Sequence, residues 1–183
     1  GRLQARAGAV INAAAGESLE EWRPRCNAVR GRGDHPINCV SHPSARGYCR
    51  SVCKRLPSAA EWSRAAGAEA GRRFPWGDAQ PECETACFDL QRNCTHHYDE
   101  VATCPLGSHP GDTTPDGVKD LGGGVAEWVE DEAPGAQPGT GEPAWRLVLG
   151  GSFHDGVAAM AAGARRPLPP VSAFVSIGFR CAQ

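Results

Sequence analysis

Nine cysteines, at positions 26, 39, 49, 53, 83, 87, 94, 104 and 181, constrain this chain more than any other feature. So many thiols in 183 residues fit an oxidising compartment, extracellular or periplasmic, where disulfides replace missing regular structure. The odd count leaves at least one thiol unpaired or bonded to another chain. Gly 23 and Pro 15 together make up about a fifth of the sequence, which disfavours long helices and predicts a loop-rich fold.

The length suffices for one domain with a single core, whereas two domains would each be too small. Formal net charge is -2, and the 19 basic residues are scattered, so no footprint for nucleic acid exists. No stretch approaches the roughly 18 consecutive apolar residues that span a bilayer. The start, Gly1-Arg2-Leu3-Gln4, lacks both an initiator Met and a signal-peptide profile, so the chain reads as a mature form or a fragment.

Residues 1–36 alternate small apolar and charged side chains, with a helix expected at Glu17–Trp22 after the turn at Gly16. Ile37–Val40 reads as a short buried strand. Ser41 then caps a helix over His42–Cys53, whose apolar positions Ala45, Tyr48, Cys49 and Val52 recur at three and four. Ser58 with Glu61 three residues on forms a capping box for a second helix, Ala59–Ala70, with Trp62 and Ala66 on its buried face. Residues 71–119 read as an irregular stretch held by disulfides, and 132–143 as a surface loop. Arg146–Leu149 and Val171–Phe179 are the late strand candidates.

Cys83, Cys87, Cys94 and Cys104 are separated by three, six and nine residues, unlike the CxxC pairs of a zinc site. Disulfides are favoured, with three connectivities open. His96-His97 and His154 read as surface polar residues, because adjacent loop histidines point apart and no partner stands at ligand spacing. Trp62, Trp76 and Trp128 read as core or packed-turn residues rather than stacking platforms. Asp120 and Glu127 flank Gly122-Gly123-Gly124, a turn able to aim backbone carbonyls at one point, which suits a hard cation. The competing reading is a glycine turn with solvated carboxylates.

Three blocks carry a resemblance. The first runs from Ile37-Asn38-Cys39-Val40 through Gly47-Tyr48-Cys49 and Leu56-Pro57-Ser58-Ala59-Ala60-Glu61-Trp62 to Phe74-Pro75-Trp76-Gly77-Asp78. The second is Cys104-Pro105-Leu106-Gly107-Ser108 followed by Asp116-Gly117-Val118-Lys119-Asp120 and Gly123-Gly124-Val125-Ala126-Glu127-Trp128. The third is Gly150-Gly151-Ser152-Phe153, then Arg165-Arg166-Pro167 and Gly178-Phe179-Arg180-Cys181. In this order and spacing the chain resembles the formylglycine-generating-enzyme, or sulfatase-modifying-factor, family. The resemblance implies an α+β, C-type-lectin-like fold, low in regular secondary structure and stabilised by disulfides. Residues 37–183 would form that domain, and residues 1–36 a partial N-terminal segment of it.

The resemblance also implies a disulfide between Cys49 and Cys181, after which Cys26 and Cys39 can pair and leave Cys53 as the odd thiol. A second family disulfide would fall near Ala66 and Arg165, where both cysteines are absent. By the same resemblance, calcium would be held by Asp120, the carbonyls of Gly123 and Val125, and Glu127. Characterised members bind copper(I) through two cysteines after the Gly-Gly-Ser-aromatic motif. Here Asp155 and Met160 stand at those positions, and neither can be a thiolate. Copper and oxidation of a sulfatase cysteine are therefore not expected, and no catalytic residue is assigned.

The resulting reading is a non-catalytic binding or sensory module for a protein, peptide or glycan ligand, exported and disulfide-stabilised, fused by analogy to a regulatory domain such as a bacterial Ser/Thr kinase. One alternative is a formylglycine-generating oxidase. Another is a ligand-binding lectin-fold protein with contacts between His154 and Ser176.

Overall fold

A computed structural model of the chain describes residues 23–88, 103–135, 139 and 143–183. The helix expected at Glu17–Trp22 and the His96-His97 pair lie outside the described residues. Helices are short, as the glycine and proline content requires: α1 is Asn27–Arg30, α2 is His42–Ser51 and α3 is Ala59–Ala65. Single 3-10 turns form at Arg23–Arg25 and Val157–Met160.

The capping box forms as expected. Ser58 Oγ accepts from the Glu61 N–H at 3.2 Å, and the Glu61 carboxylate accepts from the Ser58 N–H at 2.8 Å, pairing two of the otherwise orphaned donors at the start of α3. The helix ends at Ala65, five residues short of the expected Ala70. Gly67, at φ 82°, turns the chain left-handed, and Gly71 repeats the device.

One mixed sheet follows, built from β1 (Ala126–Glu132), β2 (Arg146–Leu149), β3 (Arg165–Leu168) and β4 (Ile177–Phe179), in the order β3-β2-β1-β4. Strand β1 lies centrally, antiparallel to β2 and parallel to β4, and β3 and β4 are the edges. Two expected strands are corrected. Ile37–Val40 is not a strand, because Cys39 takes φ 56° and bonds to Cys26, while Asn38 directs its amide to the Val175 carbonyl. The expected Val171–Phe179 strand shrinks to β4, because a turn bond from the Ile177 N–H to the Phe174 carbonyl precedes it.

Packing ties α2 and α3 to β1. Trp128 is fully buried, its indole N–H donates to the Val40 carbonyl at 2.8 Å, and the His42 ring meets it edge-on at 5.7 Å. His42 Nε2 donates to the Val129 carbonyl at 3.1 Å, and burial lowers its pKa. The amphipathic reading of α2 holds for Ala45 and Cys49, which are fully buried, but Tyr48 is half-exposed and pairs edge-on with Phe179.

Three disulfides join described residues: Cys26–Cys39, Cys49–Cys181 and Cys87–Cys104. Cys83 is also disulfide-bonded, and Cys53 is a free, exposed thiol. The Cys49–Cys181 bond fastens α2 to the C-terminus across 132 residues, and the Arg55–Ala182 bridge beside it pairs the backbones. Among the described residues no helix is long and apolar enough to cross a membrane.

Candidate functional site

Two places carry chemistry. The first is the segment after β2, where the resemblance would place the family's copper ligands. The Asp155 carboxylate accepts from the Ser152 N–H at 2.9 Å and from Ser152 Oγ–H at 2.6 Å, and Arg166 lies 3.4 Å from its other oxygen. Asp155 thus closes a tight polar turn. Met160 is fully buried in a cluster with Phe74, Phe153 and the Cys26–Cys39 sulfurs. His154 stacks obliquely on Phe153 at 4.1 Å, and burial lowers its pKa. Asp155 is a hard oxygen donor already engaged by Ser152, and the one soft donor, the Met160 thioether, is packed into the core, so the two do not supply the soft donor pair that copper(I) takes.

The second place is a cavity of about 290 Å³ between the glycine loop and the Cys87–Cys104 disulfide. Backbone conformation and a close approach shape the loop there. Asp120 adopts φ 57°, and Gly123, at φ 148°, sits where any Cβ would collide with the Cys87 carbonyl. The Gly124 N–H then donates to that same carbonyl at 2.8 Å. Asp112 braces the loop from outside: one carboxylate oxygen accepts from the Gly122 N–H at 2.8 Å, and its carbonyl accepts from the Asp120 N–H at 3.1 Å.

Asp120, Gly123, Val125 and Glu127, the calcium set implied by the resemblance, all line this cavity. Their side-chain donors are engaged by the protein. Arg180 donates to both oxygens of Glu127, and the Trp62 indole N–H donates to Oε2 at 2.7 Å. Asp120 Oδ2 accepts from the Gly107 N–H at 2.9 Å, and Arg180 Nη2 also reaches the carbonyls of Lys119 and Asp120. Among the described residues no group of three or more His, Cys, Asp or Glu side chains is spaced to hold a metal ion. As arranged, the donor set fits a guanidinium, and a calcium ion would have to share or displace Arg180.

Asp112 was not singled out by the sequence, where it is one acid in a Gly/Pro-rich run. It is only 2 % exposed, and burial is the main reason its pKa is pushed up to about 7. The Asp120 charge raises it further, while the Gly122 and Leu121 N–H groups and the Arg180 charge oppose the rise. Its Oδ1 has no hydrogen-bond partner.

A small mixed sheet, short helices, long-range disulfides and a glycine loop locked by Trp62, Glu127 and Arg180 define a disulfide-held α+β domain with a cavity beside that loop. The chain belongs to the sulfatase-modifying-factor family: the Sulfatase-modifying factor enzyme 1-like domain matches residues 7–183. The formylglycine-generating enzyme of Streptomyces coelicolor is 35% identical over 173 residues, 85% of this chain and 54% of that protein. Serine/threonine-protein kinase pkn1 of Chlamydia pneumoniae is 26% identical over 165 residues, 84% of this chain and 25% of the kinase. The inactive C-alpha-formylglycine-generating enzyme 2 of Bos taurus is 30% identical over 167 residues, 86% of this chain and 53% of the relative. The chain thus spans about half, or less, of the length of these relatives. PvdO from Pseudomonas aeruginosa shares the fold, with a TM-score of 0.65, 22% identity, and coverage of 81% of this chain and 61% of PvdO.

Proposed function

We propose that this chain is a non-catalytic binding or sensory module of its family, exported to an extracellular or periplasmic space. The observation that carries the proposal is what Asp155 and Met160 do: one closes a polar turn with Ser152 and the other fills the core. Neither is a thiolate, and neither is free to approach a metal or form a mixed disulfide with a substrate cysteine. Disulfides between described residues support the oxidising compartment. The likeness to pkn1 supports a place beside a regulatory domain in a longer protein, and the likeness to the inactive bovine relative supports a catalytically silent use of the domain.

A second reading, a formylglycine-generating oxidase, is favoured by the 35% identity to the Streptomyces enzyme. One experiment separates the two. Incubation with copper and a Cys-x-Pro-x-Arg peptide, followed by mass spectrometry, is expected to yield no formylglycine above the copper-only blank. Turnover above that blank overturns the non-catalytic reading.

A further inference from the structure

We propose that the cavity beside the glycine loop binds a free α-amino acid with an aliphatic side chain, its carboxylate on Arg180 Nη1, its ammonium on Asp120 Oδ1 and its side chain against Ile37, Leu106 and Phe179. This names a small-molecule ligand for the binding-module reading and rests on that reading.

The fold leaves two polar atoms of opposite charge open in the lining. Arg180 commits Nε and Nη2 to Glu127 and to the carbonyls of Lys119 and Asp120. A guanidinium carries five N–H donors, and among the described residues Nη1 has no acceptor and is not sealed from solvent. Asp120 gives Oδ2 to the Gly107 N–H at 2.9 Å and likewise keeps Oδ1. Both residues line the cavity, and that bond holds the Asp120 carboxylate between the glycine loop and the wall that carries Pro105 and Leu106.

Geometry selects a zwitterion. Arg180 Nη2 donates to the Asp120 carbonyl at 2.9 Å, which brings the guanidinium beside Asp120, yet its ion pair is with Glu127 and not with the Asp120 carboxylate. A metal ion or an amine would suit Asp120 and be repelled by Arg180, and a simple anion would do the reverse. A molecule that bears an ammonium and a carboxylate on one carbon answers both. Charge agrees: Lys119 and Arg180 match Asp120 and Glu127, and Asp112, its pKa pushed up to about 7 by burial, keeps its proton below that value.

The walls supply the rest. Ile37 is 38% and Leu106 58% exposed, and Phe179, which lines the cavity with them, is held from behind by the Tyr48 ring at 5.5 Å. An aliphatic side chain laid there covers them and gains by leaving water. A volume of about 290 Å³ lies at the small end of ligand pockets, which suits an amino acid rather than a peptide or an oligosaccharide.

The test is calorimetric titration of the full chain with leucine, isoamylamine, isocaproate and glycine, in a chelator so that no metal ion bridges ligand and loop. Isoamylamine lacks leucine's carboxylate, isocaproate its ammonium and glycine its side chain. Leucine is expected to bind at least about tenfold more tightly than each, the loss of one charge-assisted hydrogen bond or of the apolar contact. Asp120→Asn keeps an oxygen for the Gly107 N–H and tolerates the φ of 57° at this position, so the loop is expected to hold its shape. In that variant leucine's preference over isocaproate is expected to vanish while its preference over isoamylamine stays. Leu106→Asn, at an exposed position, is expected to reduce the preference over glycine. Leucine bound no more tightly than isoamylamine or isocaproate, a preference over isocaproate that survives Asp120→Asn, a preference over glycine unmoved by Leu106→Asn, or no leucine bound at all overturns the proposal. A chain that makes no formylglycine and binds no leucine loses only this inference, whereas formylglycine production overturns the reading beneath it.

Discussion

The Arg180 guanidinium grips Glu127 in a fork, Nε to Oε2 at 2.6 Å and Nη2 to Oε1 at 2.8 Å, while Trp62 donates to Oε2 from the opposite element. Three pieces of chain distant in sequence therefore meet on one carboxylate: α3 through Trp62, β1 through Glu127, and the segment after β4 through Arg180. Glu127 is only 5% exposed. A buried anion is tolerable only with such partners, so the fork fixes how the C-terminus docks on the sheet.

Arg180→Met removes the only cation bonded to Glu127 among the described residues and leaves a buried charge. A loss of about 3 to 5 kcal/mol is expected in urea denaturation. Adding Glu127→Leu to that variant is expected to restore part of it, because two apolar side chains need no pairing. A double variant less stable than Arg180→Met alone would show that Trp62 depends on the carboxylate more than the ion pair does.

Much of the architecture is legible where the signal is local. Ser58 and Glu61 announce a cap, Leu147 to Leu149 an apolar strand, and the odd cysteine resolves as Cys53. Strand β1 is not legible, because Ala126–Val129 is buried on both faces between β2 and β4 and shows no alternation. Edge strand β3, Arg-Arg-Pro-Leu, carries the charges and proline that usually argue against a strand and that an edge permits. The site is legible only as a set of names. Asp120 and Glu127 mark the loop, but their engagement by Arg180 depends on contacts 60 and 53 residues away, and Asp112 has no local signature.

The Cys49–Cys181 bond closes the longest loop among the described disulfides. Replacing both cysteines by alanine is expected to cost about 2 to 5 kcal/mol, since the unfolded chain regains the entropy that the link removes. Cys53→Ser, at an exposed thiol, is expected to change stability by less than about 0.5 kcal/mol. Calorimetry under non-reducing conditions compares the two. Equal losses would mean that the crosslink contributes nothing beyond side-chain packing.

Asp112 imposes a pH dependence opposite to that of a paired carboxylate. Burial pushes its folded pKa from the usual 3.8 to about 7, so between those values the folded chain keeps a proton that the unfolded chain has released. Stability from this group therefore falls as pH rises from about 4 to 7 and levels above, with a slope of at most about 1.4 kcal/mol per pH unit. Buried His42, its pKa lowered from 6.5, works the other way and removes stability as pH drops below that value. The difference between wild type and Asp112→Asn isolates the first effect: denaturation midpoints are expected to favour the variant increasingly from pH 4 to 7. Parallel curves would show that the carboxyl does not titrate in this window.

Position 160 offers the sharpest structural check on whether its side chain serves packing or faces a ligand. Met160 is fully buried, and its terminal methyl occupies the space that a Cβ on Gly151 would fill. Gly151→Ala is therefore expected to overpack the core and cost about 1 to 3 kcal/mol. Met160→Ala empties the same volume and is expected to cost about 2 to 5 kcal/mol. In the double variant the new methyl enters the space that the lost thioether vacates, so the combined loss should fall short of the sum by about 0.5 to 3 kcal/mol. Such coupling identifies residue 160 as a packing residue of the Phe74 and Phe153 cluster, whereas additive losses would mean that the thioether and Gly151 are not in contact and that the side chain is free to face solvent or a ligand.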